Sequence, residues 1–173
     1  MTEVQARIRS AATMLVLVVL MLIGVAWAWS AVTEPFPEDE EVATCDLVSV
    51  DKGQKVYPDQ VTVSVLNAGN EEGLANRTMA ALVKAALVEG DLANAPKDAD
   101  VSGVEVWTDD LQNPAVILVA SYLGKNAKVV ERDPPLPGVN VVVGDDFRGV
   151  TKGRKSVAAR EDTTICGPPT EEL

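Results

Sequence analysis

Twenty-two residues without a charge, Ala11 to Val32 (AATMLVLVVLMLIGVAWAWSAV), set a short N-terminus apart from everything that follows. A helix of that length reaches about 33 Å, enough to cross a hydrocarbon core of roughly 30 Å. Arg7 and Arg9 precede the run, and Glu34, Glu38, Asp39, Glu40 and Glu41 follow it. Because Lys and Arg stay on the cytoplasmic side, residues 1–10 are expected inside and the rest outside, a single-pass cell-membrane topology with an extracytoplasmic C-terminal domain. Trp27 and Trp29 fall near the outer end, where indole rings favour the headgroup layer. The competing reading is a cleaved signal peptide, since Ala26-Trp27-Ala28 resembles an A-x-A site. Signal cores usually hold about 7–15 apolar residues, so the length favours an uncleaved anchor.

Composition then removes whole classes of chemistry. The 173 residues contain no His, which excludes Ser-His-Asp and Cys-His triads and every His-ligated metal site. Fifteen Lys and Arg against 26 Asp and Glu leave a net charge of −11, unsuited to a nucleic-acid partner. Residues 33–60 are acidic, and Thr33 to Thr44 (TEPFPEDEEVAT) combines two prolines with five acids. Such a stretch buries little and reads as a solvated extracytoplasmic linker, with partner binding as the alternative. The expected organisation is a stub at 1–10, an anchor at 11–32, this linker at 33–60, a folded domain at 61–150 and a tail at 151–173.

Both cysteines, Cys45 and Cys166, lie beyond the anchor, one on each side of the domain. An even number in an oxidising compartment favours a bridge tying linker to tail. Free thiols and a lipidated Cys45 are the alternatives, but Cys45 is far from the apolar core a lipobox requires, and no C-x-x-C pair signals redox work.

Within the domain, Gln60 to Leu66 alternates as a half-buried strand. Apolar or small residues from Leu74 to Leu87 mark one face of a helix spanning Glu71 to Glu89, with Gly90 placed to end it. Asp91 to Asp100 reads as a loop because of Pro96. A second strand is expected over Gly103 to Trp107. A second helix follows over Ala115 to Leu123, capped by Asp109, Asp110 or Asn113 and started by Pro114. Nearly all of AVILVASYL is apolar, so this helix is either covered on most sides or offers a greasy face to a partner. Strands at Ala127–Glu131 and Val139–Val143, joined by a proline-rich turn, should pair antiparallel. The predicted fold class is α/β (α+β): an N-terminal transmembrane helix plus a small two-layer sandwich in the order β-α-β-α-β-β.

Val61-Thr62-Val63-Ser64-Val65-Leu66-Asn67-Ala68-Gly69, then Gly73-Leu74-Ala75, resembles the opening of the LytR C-terminal domain family. Tyr122-Leu123-Gly124, Val129-Val130-Glu131, Leu136-Pro137-Gly138-Val139 and Val141-Val142-Val143-Gly144-Asp145-Asp146-Phe147 resemble its second half. The likeness covers about residues 60–148. It implies an envelope role without the transferase domain that such modules often trail, because the chain has no room for one. With one anchor and flanking cysteines, the layout resembles the stand-alone actinobacterial members, those linked to envelope integrity above all. Ala68 departs from the family's usual Gly, and residues 91–100 replace a short turn.

Candidate chemistry is sparse. The Asn67–Gly73 turn enters a helix N-terminus, where free amides hold anions, yet Glu71 and Glu72 already occupy that end and capping by Asn67 or Asn70 explains the turn better. The doublets Asp109-Asp110 and Asp145-Asp146 would serve Ca²⁺ or acid–base work only if they met in space. Lys152, Arg154 and Lys155 are suited to anionic lipid or wall polymer, or to a solvated loop. No catalytic residue, metal or cofactor is expected. The candidate ligand or partner surface is Asn67, Gly69, Asn70, Val116, Val119 and Tyr122. The function expected is non-enzymatic support of the cell envelope by binding or scaffolding its polymers, lipids or proteins. An enzyme using the Asp doublets, or a regulator of a LytR-CpsA-Psr-type transferase acting through the second helix, is the alternative.

Overall fold

The computed structural model describes residues 14–25, 27 and 45–169, and the chain divides into two units, Met1–Glu41 and Val42–Leu173. In the first unit residues 14–25 and Trp27 are helical with exposed side chains. No helix among the described residues is long and apolar enough to cross a membrane. The rest of the expected anchor, the stub and the spacer up to Thr44 lie outside the described residues.

The second unit is built on a five-stranded sheet of order β4-β3-β7-β5-β6. Its strands are β3 (Thr62–Asn67), β4 (Val88–Asn94), β5 (Val104–Thr108), β6 (Lys128–Glu131) and β7 (Val139–Val143). Helix α1 (Leu74–Lys84) connects β3 to its parallel neighbour β4, and α2 (Pro114–Ala120) connects β5 to its parallel neighbour β6. β7 lies between these two βαβ units, parallel to β3 and antiparallel to β5. The units therefore run in opposite directions and spread to opposite sides of β7. A half-turn about the sheet normal relates them, so crossovers of the same right-handed sense deliver both helices to one face.

Strand alternation matches that arrangement. Val63 and Val65 of β3, Val104 and Val106 of β5, and Val139, Val141 and Val143 of β7 pack with Leu74, Met79, Leu82, Leu118 and Val119 of the helices in one buried cluster. The opposite face carries a smaller cluster of Leu66, Val101, Trp107 and Val142. Arg132 lies 4.1 Å above the Trp107 ring and pairs with Asp98 at 2.6 Å, drawing the β4–β5 loop over that indole.

Four further strands complete the fold: β1 (Asp46–Val50) pairs antiparallel with β9 (Thr163–Gly167), and β2 (Lys55–Val56) with β8 (Val157–Ala158). Val50, Val56, Val157, Ala159 and Ile165 from these ribbons join the helix-side cluster. The linker expected over 33–60 thus ends earlier, and the tail carries two strands, β8 and β9. Both segments carry isolated β-branched residues too short to signal strands alone. The Cys45–Cys166 disulfide closes this arrangement across 121 residues, with a Cα–Cα distance of 5.3 Å.

Three local expectations are corrected. Asp91–Asp100 is not all loop, because β4 reaches Asn94 as an edge strand. α1 stops at Lys84 rather than near Glu89. Its end is a Schellman closure, in which Leu87 N–H donates to Leu82 O at 3.2 Å and Ala86 N–H to Val83 O at 2.9 Å. Ala86, at φ 72°, fills the left-handed position that Gly90 was expected to serve. Gly90 instead lies inside β4, where an added Cβ would meet Ser64 Oγ at 2.8 Å. Finally, β6 and β7 do not pair: each takes β5 as neighbour, β6 parallel and β7 antiparallel. The observed order from β3 to β7 is therefore β-α-β-β-α-β-β.

Replacing Cys45 and Cys166 by Ser should lower unfolding free energy by about 4–5 kcal/mol, the chain-entropy value for so long a loop, measured by urea denaturation. Ala86→Gly should raise it by about 1 kcal/mol by relieving left-handed strain at an exposed position.

Candidate functional site

The sheet has two poles. At one, the start of β3, the end of β5 and the start of β7 meet the disulfide. At the other lie the end of β3, the start of β5 and the end of β7.

A cleft of about 420 Å³ opens at the disulfide pole beside the start of α2. Its apolar wall includes Trp107, Val116, Leu136 and Pro137, and Cys45 and Cys166 border it. Its polar rim holds Asp109, Asp110, Asn113 and Thr164, with no cation. The volume falls within the roughly 300–1,000 Å³ of small-ligand sites. Asn113 caps α2, its Oδ1 accepting from Ala115 N–H at 3.0 Å, while its Nδ2 donates to Thr164 O at 3.0 Å and so joins the helix to β9. Asp110 is held in a turn, Oδ1 accepting from Gln112 N–H at 2.8 Å. These groups shape the cleft without forming a nucleophile–base pair.

At the other pole the Asn67–Gly73 turn is organised by an internal anion. Asp145 Oδ1 accepts from Asn70 N–H at 2.8 Å and Glu71 N–H at 3.2 Å, and Oδ2 accepts from Asn70 Nδ2 at 3.0 Å. Gly69 faces this carboxylate so closely that a Cβ there would collide with it. The amides that an anionic ligand would need are already occupied. Asparagine capping is corrected too: Gly73, at φ 75°, is the N-cap of α1 with no side-chain bond, and Asn67 Oδ1 accepts from Gly69 N–H at 3.0 Å instead.

The six expected surface residues do not converge. Asn67, Gly69 and Asn70 belong to this turn. Val116 borders the cleft at the opposite pole but is only 4% exposed. Val119 is fully buried, and Tyr122 packs into the core with its hydroxyl donating to Arg154 O at 2.8 Å. The greasy face of α2 is thus covered by β2 and β8 and is no docking surface. The Asp doublets are also apart, since antiparallel β5 and β7 carry Asp109 and Asp145 beyond opposite ends of the sheet. A five-residue strand separates such ends by roughly 17 Å. No three His, Cys, Asp or Glu side chains among the described residues are grouped to hold a metal. Sequence reasoning missed the Asp145 contacts and the large cleft. The Gly144-Asp145-Asp146-Phe147 motif was visible, but nothing local says that it reaches 75 residues back.

These features define a small, disulfide-closed α/β domain. The chain belongs to the LytR C-terminal domain family, described as LytR cell envelope-related transcriptional attenuator, which matches residues 60–147, just over half of its length. The module is thus envelope-associated and of an attenuator type rather than a known catalytic one. Comparisons with curated proteins and with solved structures give no match.

The hydrogen bond from Asn70 above all, with the two backbone amides, holds the Asp145 carboxyl below its ordinary value of 3.8 against a smaller opposing effect of desolvation. A depressed folded-state value stabilises above the unfolded-state pKa and is lost as pH falls through the lower folded one. Asp145→Asn should therefore lower the melting temperature at neutral pH and shrink the loss of stability below pH about 4, read from thermal melts between pH 2 and 7.

Proposed function

We propose that this chain is a non-enzymatic, membrane-anchored extracytoplasmic protein that supports cell-envelope integrity by binding or scaffolding envelope polymers, lipids or proteins. One observation carries the reading: a disulfide, Cys45–Cys166, closes a domain of an envelope-associated family. Such bonds persist in oxidising compartments and are rare in the cytosol. The uncharged run at 11–32 supplies the anchor, and Arg7 and Arg9 on one side with five acids on the other supply its orientation. The 420 Å³ cleft and the lack of a nucleophile–base pair at it support recognition rather than turnover.

A C-terminal alkaline phosphatase fusion should be active in cells and an N-terminal one inactive. Deletion should raise sensitivity to detergent and to wall-active antibiotics, and the anchored chain should restore resistance where one lacking residues 1–32 does not. Activity of the N-terminal fusion alone, or a deletion strain with unaltered resistance, would overturn the proposal.

A further inference from the structure

The net charge of the chain hides a local reversal. At the pole away from the disulfide, a cleft of about 260 Å³ is lined by Leu123, Phe147 and Val104, with Lys125 and Arg148 among its walls and Asp146 as the opposing carboxylate. The segment after it is fastened to the end of α2. Thr151 N–H donates to Tyr122 O at 2.6 Å, and Arg154 N–H to Ser121 Oγ at 2.9 Å. Thr151 also lies beside Gly124, its methyl 3.7 Å from where a Cβ would stand. These fastenings bring Lys152, Arg154 and Lys155 to the same end of α2 as Lys125. All five cations are exposed, and neither ion pair among the described residues, Arg77–Glu71 or Arg132–Asp98, uses any of them.

The geometry points to this cleft as a recognition site for an anionic glycan, its negative groups met by Lys125, Arg148 and Lys152 and its ring faces laid on the half-buried Phe147. Charge complementarity selects an anion, and unpaired surface cations give up no existing partner to bind one. The apolar floor selects a ligand with flat C–H faces rather than a bare phosphate. The concave shape selects an inserted polymer segment over a flat membrane surface. The inference deepens the proposed envelope role and rests on it for the ligand's source.

The full chain in neutral phosphatidylcholine nanodiscs, titrated with oligogalacturonate by calorimetry, tests it. Binding should weaken about tenfold or more between 50 and 500 mM salt, as exposed charge pairs are screened. The combined Lys125→Gln, Arg148→Gln and Lys152→Gln variant should lose about tenfold or more in affinity with an unchanged melting temperature. A control with Lys52→Gln, Lys55→Gln and Lys97→Gln, equal in charge change, should lose less than about twofold. Equal losses in the two variants, equal binding of a neutral chitooligosaccharide, no binding, or binding only to phosphatidylglycerol vesicles would each overturn the inference. The fusion and deletion results above are independent of this titration, so either proposal can fail alone.

Discussion

Helix α2 is apolar nearly all round, and the rest of the domain is arranged to keep water from it. The sheet covers one side through Val104, Val106 and Val141. The other side is closed by Val56 and Val157 from two short strands that lie more than a hundred residues apart in sequence. Strands of two residues cannot hold themselves in place, since each contributes only a ladder fragment. What holds them is the β1–β9 ribbon beside them and the covalent link between Cys45 and Cys166. The family-matched segment, 60–147, therefore depends on residues outside it for its own core.

This dependence decides how much of the structure was legible in sequence. Strands β3 and β5 follow the alternation of their valines, and β7 occupies the residues its pattern indicates, Val139–Val143, whereas β4, with a single valine, gave no such signal. The cap and first turn of α2 are likewise written in Asn113-Pro114. The flanking strands carry no comparable signal, because Lys55-Val56 and Val157-Ala158 acquire meaning only as partners. The helix was then left with two readings, buried or presented, and local pattern has no means to choose between them.

Connectivity was less legible than the elements. A seven-residue proline-rich connection between β6 and β7 invites a hairpin, but the two strands take opposite sides of β5. The reason is the edge–centre distinction: β7 is buried throughout and suits the middle of the sheet, while β6 is largely exposed and suits its rim. The end of α1 was hidden for a different reason, since alanine in the left-handed region breaks the usual glycine signature while making the same hydrogen bonds. The large cleft was beyond reach because four segments, separated in sequence and two of them joined by the disulfide, enclose it.

Asp145 gives the turn after β3 an acceptor that cannot diffuse away. A loop shaped by a bound solute keeps its form only while that solute is plentiful, and it softens on dilution or washing. Here the occupant is supplied in cis, at an effective concentration fixed by the backbone, so the entrance to α1 stays set in whatever ionic medium surrounds the domain above the titration range of that carboxyl.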